Sequence, residues 1–172
     1  FRECRFVDCD FSNAAFISCR FVDCTFENCT LRMIALDGSA LVSVQFKGCN
    51  MMGVNFIDVD WADLSAKMTP LKFEDCTLKY AVFIGLPLAR VKITACDATE
   101  ANFNEADLTE ADLSETNFEG ALLTGADVTG ANFVGARNYV IDIQTARVKG
   151  AKFDLPEAMR LLRYTNIEIV DA

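Results

Sequence analysis

One regularity constrains this chain more than any other: a period of five. Counting from Phe1, the positions Phe6, Phe11, Phe16, Phe21 and Phe26 follow, then Leu31, Leu36, Leu41, Phe46, Met51, Phe56 and Trp61. The frame breaks over residues 62–72, ADLSAKMTPLK. It resumes at Phe73 and runs through Leu78, Phe83, Leu88, Ile93, Ala98, Phe103, Leu108, Leu113, Phe118, Leu123, Val128 and Phe133, then Asn138, Ile143 and Val148, to Phe153. All 14 Phe occupy these central positions, all eight Cys lie two residues before one, and all nine Gly lie two residues after one. Chance would place about one in five of each there. Within both frames no Asp, Glu, Lys or Arg takes the central position or the one two before it. Those two positions therefore face inward, and the other three face solvent or turn corners.

A repeat of five matches neither the 3.6 of an α-helix nor the 2.0 of a strand. It calls for a chain that turns a corner every five residues. Gly two residues after the centre suits a turn with positive φ. Pairing between successive coils then satisfies the backbone amides and carbonyls.

Composition narrows the functional classes. The 172 residues are 52% hydrophobic, enough for one ordinary core, and no apolar run reaches the length of a membrane span. A net charge of −9 disfavours direct contact with nucleic-acid phosphates. Histidine is absent, which removes the commonest general base and a favoured zinc ligand. No Ser or Cys can therefore pair with a His, and every Gly is accounted for by the repeat, leaving no phosphate-binding loop. Nothing in the pattern encloses the acids in a pocket, so the chain reads as no enzyme, with no cofactor and no metal. The sequence starts at Phe1 without an initiator Met; residues upstream of it are expected, and a cleaved signal peptide is compatible with that start.

The segment ANFNEADLTEADLSETNFEGALLTGADVTGANF, residues 101–133, resembles the A-(D/N)-(L/F)-x-x signature of pentapeptide-repeat proteins, and the resemblance extends over about 150 residues. It implies an all-β fold, a right-handed quadrilateral β-helix in which four repeats make one square coil and residues twenty apart stack. Thirty repeats imply about seven and a half coils and a rod roughly 36 Å long. The expected organisation is a first repeat segment over 1–61, a connector over 62–72, a second segment over 73–153, and a C-terminal element over 154–172. Expected ladders are Phe6, Phe26 and Phe46; Phe1, Phe21, Leu41 and Trp61; and Phe73, Ile93, Leu113, Phe133 and Phe153. Asn138 is the inward polar exception, to be explained by a hydrogen-bond partner or a local bend. The connector holds Pro70, with Trp61, Leu64 and Met68 at helical spacing, and is expected to offset or kink the rod.

The exposed coils at the ends of a solenoid need caps. After Phe153 the sequence DLPEAMRLLRYTNIEIVDA predicts an α-helix with Asp154 as N-cap, Pro156 in the first turn and Glu157 completing a capping box. Leu155, Met159 and Leu162 share its apolar face, and Ile167 and Ile169 alternate in a short strand. This tail resembles the C-terminal helix and strand through which the Qnr-type and MfpA-type pentapeptide proteins form head-to-head dimers. The resemblance implies a homodimer through residues 154–172; an intramolecular cap is the alternative.

The net charge is concentrated. Residues 93–136 hold Asp97, Glu100, Glu105, Asp107, Glu110, Asp112, Glu115, Glu119 and Asp127 with no Lys or Arg, and the rest of the chain balances sixteen acids with sixteen bases. An acidic band of about two coils would attract a basic partner; acids spread over a repeat surface also keep a solenoid soluble. Glu100, Glu105, Glu110 and Glu115 fall on four successive faces and so encircle the rod. Resemblance to the Qnr-type and MfpA-type proteins implies a cytoplasmic DNA mimic that binds DNA gyrase or topoisomerase IV and alters fluoroquinolone sensitivity. The second segment lacks the long projecting loops of many Qnr-type proteins, which puts loop-dependent protection in doubt. The alternative is a scaffold repeat protein with an unrelated partner.

The eight Cys share their inward position with Ala14, Ile34, Ser39, Val44 and Val54. That placement marks them as small apolar packing residues. Cys9, Cys29 and Cys49 should stack, as should Cys4 with Cys24 and Cys76 with Cys96. Their expected spacing lies within disulfide range, but parallel Cβ directions and a reducing compartment favour free thiols.

Overall fold

A computed structural model describes residues 1–62 and 71–165. The chain winds as a right-handed, four-sided β-solenoid. Seven short strands are long enough to name: β1 (Arg5–Val7), β2 (Arg20–Val22), β3 (Thr25–Glu27), β4 (Ala40–Val42), β5 (Gln45–Lys47), β6 (Lys72–Glu74) and β7 (Lys92–Thr94). All pair in parallel, in the order β1-β3-β5-β6-β7 on one side and β2-β4 on another. Elsewhere each side contributes one paired residue per coil, as in the column Pro87, Asp107, Asp127 and Arg147. Each coil hydrogen-bonds to the next in both directions: the Phe11 amide donates to the Thr30 carbonyl at 2.8 Å, and the Thr30 amide donates back to Cys9 at 2.9 Å. We number the sides by their central residues in the first full coil: Phe6 first, Phe11 second, Phe16 third and Phe21 fourth.

The core is a stack of inward centres. On the first side Phe6, Phe26, Phe46 and Phe73 lie nearly parallel, with centroids 4.6, 5.2 and 5.2 Å apart. On the third side Phe56, Phe83 and Phe103 stack at 4.6 and 4.7 Å. Between neighbouring sides the rings meet edge-on, as for Phe6 and Phe11 at 81°. One geometry thus fills the square interior with both favourable ring arrangements. Each such side chain contributes about 1.5–3 kcal/mol of burial before entropy is subtracted.

The expectation that residues 62–72 offset the rod is corrected by the pairing across them. Phe46 stands opposite Phe73, and Asn50 opposite Thr77. The separation is 27 residues instead of twenty, so this coil is seven residues longer than the others and the ladders on either side of it continue in register. The Phe6 and Phe73 ladders are therefore one column. Leu64, Met68 and Pro70 lie outside the described residues.

The corners carry the strain. The nine Gly all have positive φ, and so do sixteen other residues two positions after a centre, among them Met33, Tyr80 and Ala95. The remaining positive-φ residue is Asn138, at +60°. It corrects the expectation of an inward polar side chain. The left-handed turn at Asn138 moves Tyr139 into the core, fully buried. The Asn138 amide group instead bonds Asn117 at 2.8 Å and accepts from Arg160 at 3.2 Å.

The C-terminal element also departs from its sequence reading. Glu157–Tyr164 is a 3-10 helix starting after Pro156, and no side chain caps its N-terminus. Asp154 and Glu157 cap the solenoid instead. Throughout the rod, amides donate to the carbonyl nineteen residues on, as Gly130 does to Lys149 at 2.9 Å. At the last coil the Asp154 carboxylate accepts from the Gly135 amide and the Glu157 carboxylate from the Asn138 amide, each at 3.0 Å and each nineteen residues on. Two side chains thus replace the carbonyls that a further coil would supply.

Candidate partner-binding surface

The Asp and Asn residues just before the centres have a local task. Asp97, Asp107, Asp112 and Asp127 each accept the amide two residues on, at 3.0–3.4 Å, closing an Asx-turn into the corner. Asn50, Asn55, Asn102 and Asn132 do the same. The second letter of the repeat is thereby explained without a ligand.

Two of these Asp are also answered by bases from neighbouring coils. Lys79 reaches Asp97 at 3.0 Å and Arg147 reaches Asp127 at 3.1 Å. Burial works against ionising Asp97, but hydrogen bonds from Thr99 and Lys79 outweigh it and hold its carboxyl below the usual range. The Thr129 hydrogen bonds, against weaker burial and with help from Arg147, lower Asp127 likewise. Neither base lies within residues 93–136, so the sequence segment overstates the local charge. The signal was available as a separation near twenty, the length of one coil.

Glu100, Glu105, Glu110 and Glu115 remain. They occupy four successive corners, all exposed, with φ between +54° and +60°. None of the four side chains has a hydrogen-bond or ion-pair partner among the described residues. The corners one coil on are Gly120, Gly125, Gly130 and Gly135. A Cβ at Gly120 would sit 3.0 Å from the Cγ of Glu100, and one at Gly135 would sit 3.1 Å from that of Glu115. The glutamate stems thus lean over a ring of glycines, and the result is a collar of four carboxylates around one coil. Glu119 is exposed beside it.

Three of the sequence-selected acids also border a depression, contrary to the expectation that the rod offers them no enclosure. Glu105, Asp107 and Asp127 line an open cavity of about 370 Å³ with Gly125, Thr145 and Arg147. Among the described residues no group of three or more His, Cys, Asp or Glu is arranged to hold a metal ion.

The residues expected to form a dimer divide. Leu155 and Met159 are exposed, Leu162 is half-buried, and Leu161 packs against the core. Ile167 and Ile169 lie outside the described residues.

The structure joins the two expected cysteine ladders of the second side into one column, Cys9, Cys29, Cys49, Cys76 and Cys96, with Thr116 next. All eight thiols are free. The thiols donate to the carbonyl 23 residues back where the coil spacing is twenty, as from Cys49 to Phe26 at 3.4 Å and from Cys96 to Phe73 at 3.5 Å. Ser39 and Thr116 make the same bond, to Phe16 at 2.6 Å and Ile93 at 2.8 Å. The position therefore selects a small side chain that packs and also donates a bond between coils. The Cys76 thiol is pushed up to about 12: the bond with Cys49 lowers it, but the bond with Cys96 and burial outweigh that. It stays a protonated, unreactive thiol.

The fold and surface define a class: a β-solenoid with a filled core, whose variable chemistry lies on its outer sides and corners. Sequence comparison makes the class specific. A family profile described as a pentapeptide repeat region matches residues 1–83, and a second, for eight-copy pentapeptide repeats, matches 87–125 and 101–137. The chain belongs to the pentapeptide-repeat family. A search of curated protein sequences gave no significant match. Similar solved structures include trypsin-treated QnrB1, a plasmid-mediated fluoroquinolone resistance protein, at 20% identity and TM-score 0.44, covering 98% of this chain and 99% of that one. HetL, involved in heterocyst differentiation regulation in the cyanobacterium Nostoc sp. strain PCC 7120, has 15% identity and TM-score 0.40, covering 88% and 85%. A pentapeptide repeat protein of the Arabidopsis thaliana thylakoid lumen has 20% identity and TM-score 0.26, covering 91% and 90%. These likenesses concern the fold and carry nothing about a partner. Among the described residues no helix is long and apolar enough to cross a membrane.

Proposed function

We propose that this chain is a non-enzymatic, protein-binding rod that mimics duplex DNA toward DNA gyrase or topoisomerase IV and so alters fluoroquinolone sensitivity. The observation that carries the reading is the collar of Glu100, Glu105, Glu110 and Glu115. It sets unanswered negative charge on every side of a rod, as a duplex does, and such a field favours encounter with a basic DNA-binding groove. The topoisomerase and the drug come from the resemblance to Qnr-type and MfpA-type proteins. The reading includes a homodimer through residues 154–172, for which the exposed Leu155 and Met159 offer an apolar end. It also includes a cytoplasmic location, which suits eight free thiols.

Supercoiling by purified gyrase, with and without a quinolone, tests the proposal as the protein is titrated in. Inhibition or protection is expected; neither, up to tens of micromolar, refutes it. Glu→Gln at all four collar positions removes the charge while keeping side-chain size, and should abolish the effect at low salt. An unchanged effect eliminates electrostatic mimicry. A monomeric mass by light scattering eliminates the dimer.

A second reading, a scaffold protein with an unrelated partner, is favoured by the Asx-turns. Four of the nine band acids are explained by the architecture of their corners. The same supercoiling assay separates the two.

A further inference from the structure

The third side of the rod differs from the other three. With its bordering corners it comprises residues 13–18, 33–38, 53–58, 80–85, 100–105 and 120–125. These stack through the pairs Ala15 with Ala35, Asn55 with Val82, Val82 with Asn102 and Asn102 with Leu122. The Gly38 amide, donating to the Asp58 carbonyl at 2.8 Å, joins the second and third levels. These residues include no Lys or Arg; their only charges are Asp37, Asp58, Glu100 and Glu105. The other sides all carry bases, such as Lys72 and Lys92 on the first, Arg32 and Lys79 on the second, and Arg147 on the fourth.

The exposed apolar side chains gather on the same side. Ile17, Met33, Ile57, Tyr80, Ile84 and Leu122 lie there, each 38–59% exposed. The other exposed large apolar residues among those described are Phe1 and Val7 in the first coil, Leu155 and Met159 in the tail, and Val134 on the first side. Ile57 and Ile84 occupy equivalent places on adjacent levels, since Asn55 pairs with Val82. Scattered exposed apolar residues need no explanation, but six gathered on one side, with carboxylates as its only charges, mark an interaction surface; Arg32 and Lys79 adjoin it on the second side, beside Met33 and Tyr80.

We infer that this side is a docking surface for a protein segment in which apolar residues alternate with lysine or arginine. Charge complementarity selects that occupant. A second copy laid on the same side would set Asp37, Asp58, Glu100 and Glu105 against their own equivalents. An uncharged apolar segment would cover the isoleucines and leave the flanking carboxylates unanswered and partly desolvated. A basic segment without apolar residues would leave Ile57 and Ile84 in water. The inference concerns how a partner is held, and stands whether or not that partner is a topoisomerase.

Fluorescence anisotropy of the full chain with a labelled peptide of four Lys-Leu pairs tests it, with octalysine as the comparison probe. The Lys-Leu peptide is expected to bind at least about tenfold more tightly than octalysine. Ile57→Ser with Ile84→Ser should cost about tenfold in affinity for it, whereas Val134→Ser should change nothing. Glu100→Gln with Glu105→Gln should weaken binding more than Glu110→Gln with Glu115→Gln, which leaves this side intact. Circular dichroism confirms that each variant keeps its fold. Equal binding of the two peptides, equal effects of the two glutamate pairs, or no binding of the Lys-Leu peptide overturns the inference. A negative supercoiling assay alongside positive peptide binding refutes the topoisomerase and leaves the docking side standing.

Discussion

Replacing Tyr139 by Phe should stabilise this protein, the reverse of what altering a fully buried aromatic usually does. The Tyr139 ring packs with centroids 5.4 Å from both Phe133 and Phe153, and Phe keeps those contacts. The hydroxyl is buried and has no hydrogen-bond partner among the described residues. A buried unpaired hydroxyl costs about 1–3 kcal/mol, and the gap left by removing it costs a few tenths in return. The net gain is about 1 kcal/mol, which raises Tm by about 2–4 °C in a chain of this size. A second signature lies at alkaline pH. Burial first, then the nearby negative charges of Glu157 and Asp154, push the phenol up to about 12. A folded-state pKa above the unfolded value means that the contribution to stability is complete below about pH 10, the unfolded value, and is lost as pH rises through about 12. The variant lacks that loss, so its advantage should widen across this interval. Urea denaturation followed by circular dichroism near pH 7 and near pH 11 measures both effects. A variant less stable than the parent by about 1 kcal/mol near pH 7 would show that the hydroxyl has a partner, and would refute the reasoning.

Thr116→Val should cost about 1–3 kcal/mol, because it strands the Cys96 amide that Thr116 accepts at 3.2 Å; Thr116→Cys, which restores the column's own side chain, should cost less by the same denaturation assay. Asp154→Ala with Glu157→Ala should leave the rod folded but speed hydrogen exchange at the Gly135 and Asn138 amides, while amides of the central coils keep their protection. Thiol titration should find eight reactive groups in freshly unfolded protein and slow reaction of the buried Cys24, Cys29, Cys49, Cys76 and Cys96 in the folded state; loss of two per stacked pair on unfolding would mean disulfides. As pH falls through the depressed carboxyl pKa values of Asp97 and Asp127, the stabilisation they contribute above the unfolded range should be lost, and Asp97→Asn should flatten that acid limb in thermal melts.

Much of the architecture was legible as a count of five, because each repeat makes one side and its inward residues touch only their own kind. The positions of Phe, Cys and Gly declared which side chains face in and where φ turns positive. The collar was legible too, since four glutamates five apart on a square coil must encircle it. The tail was not. Asp154, Pro156 and Glu157 read as a helix start by local chemistry, but the amides of Gly135 and Asn138 nineteen residues earlier compete for the same carboxylates. The amides of a terminal coil are the groups a further coil would pair, and the two carboxylates meet that need in place of the cap. Asn138 was misplaced for a similar reason: a constant period cannot register the one left-handed residue that moves Tyr139 into the core.

The sequence by itself determined the repeat and the inward and outward positions, because these depend on residues at most five apart, and the total charge, which is a sum over residues whatever their spacing. Only the tertiary structure decided which coils adjoin across the seven-residue insertion, which acids are answered by Lys79 and Arg147, and which side gathers Ile57, Tyr80 and Ile84 without a base. Those facts depend on stacking, which brings residues twenty or 27 positions apart into contact, and the five-residue period alone does not specify the stack.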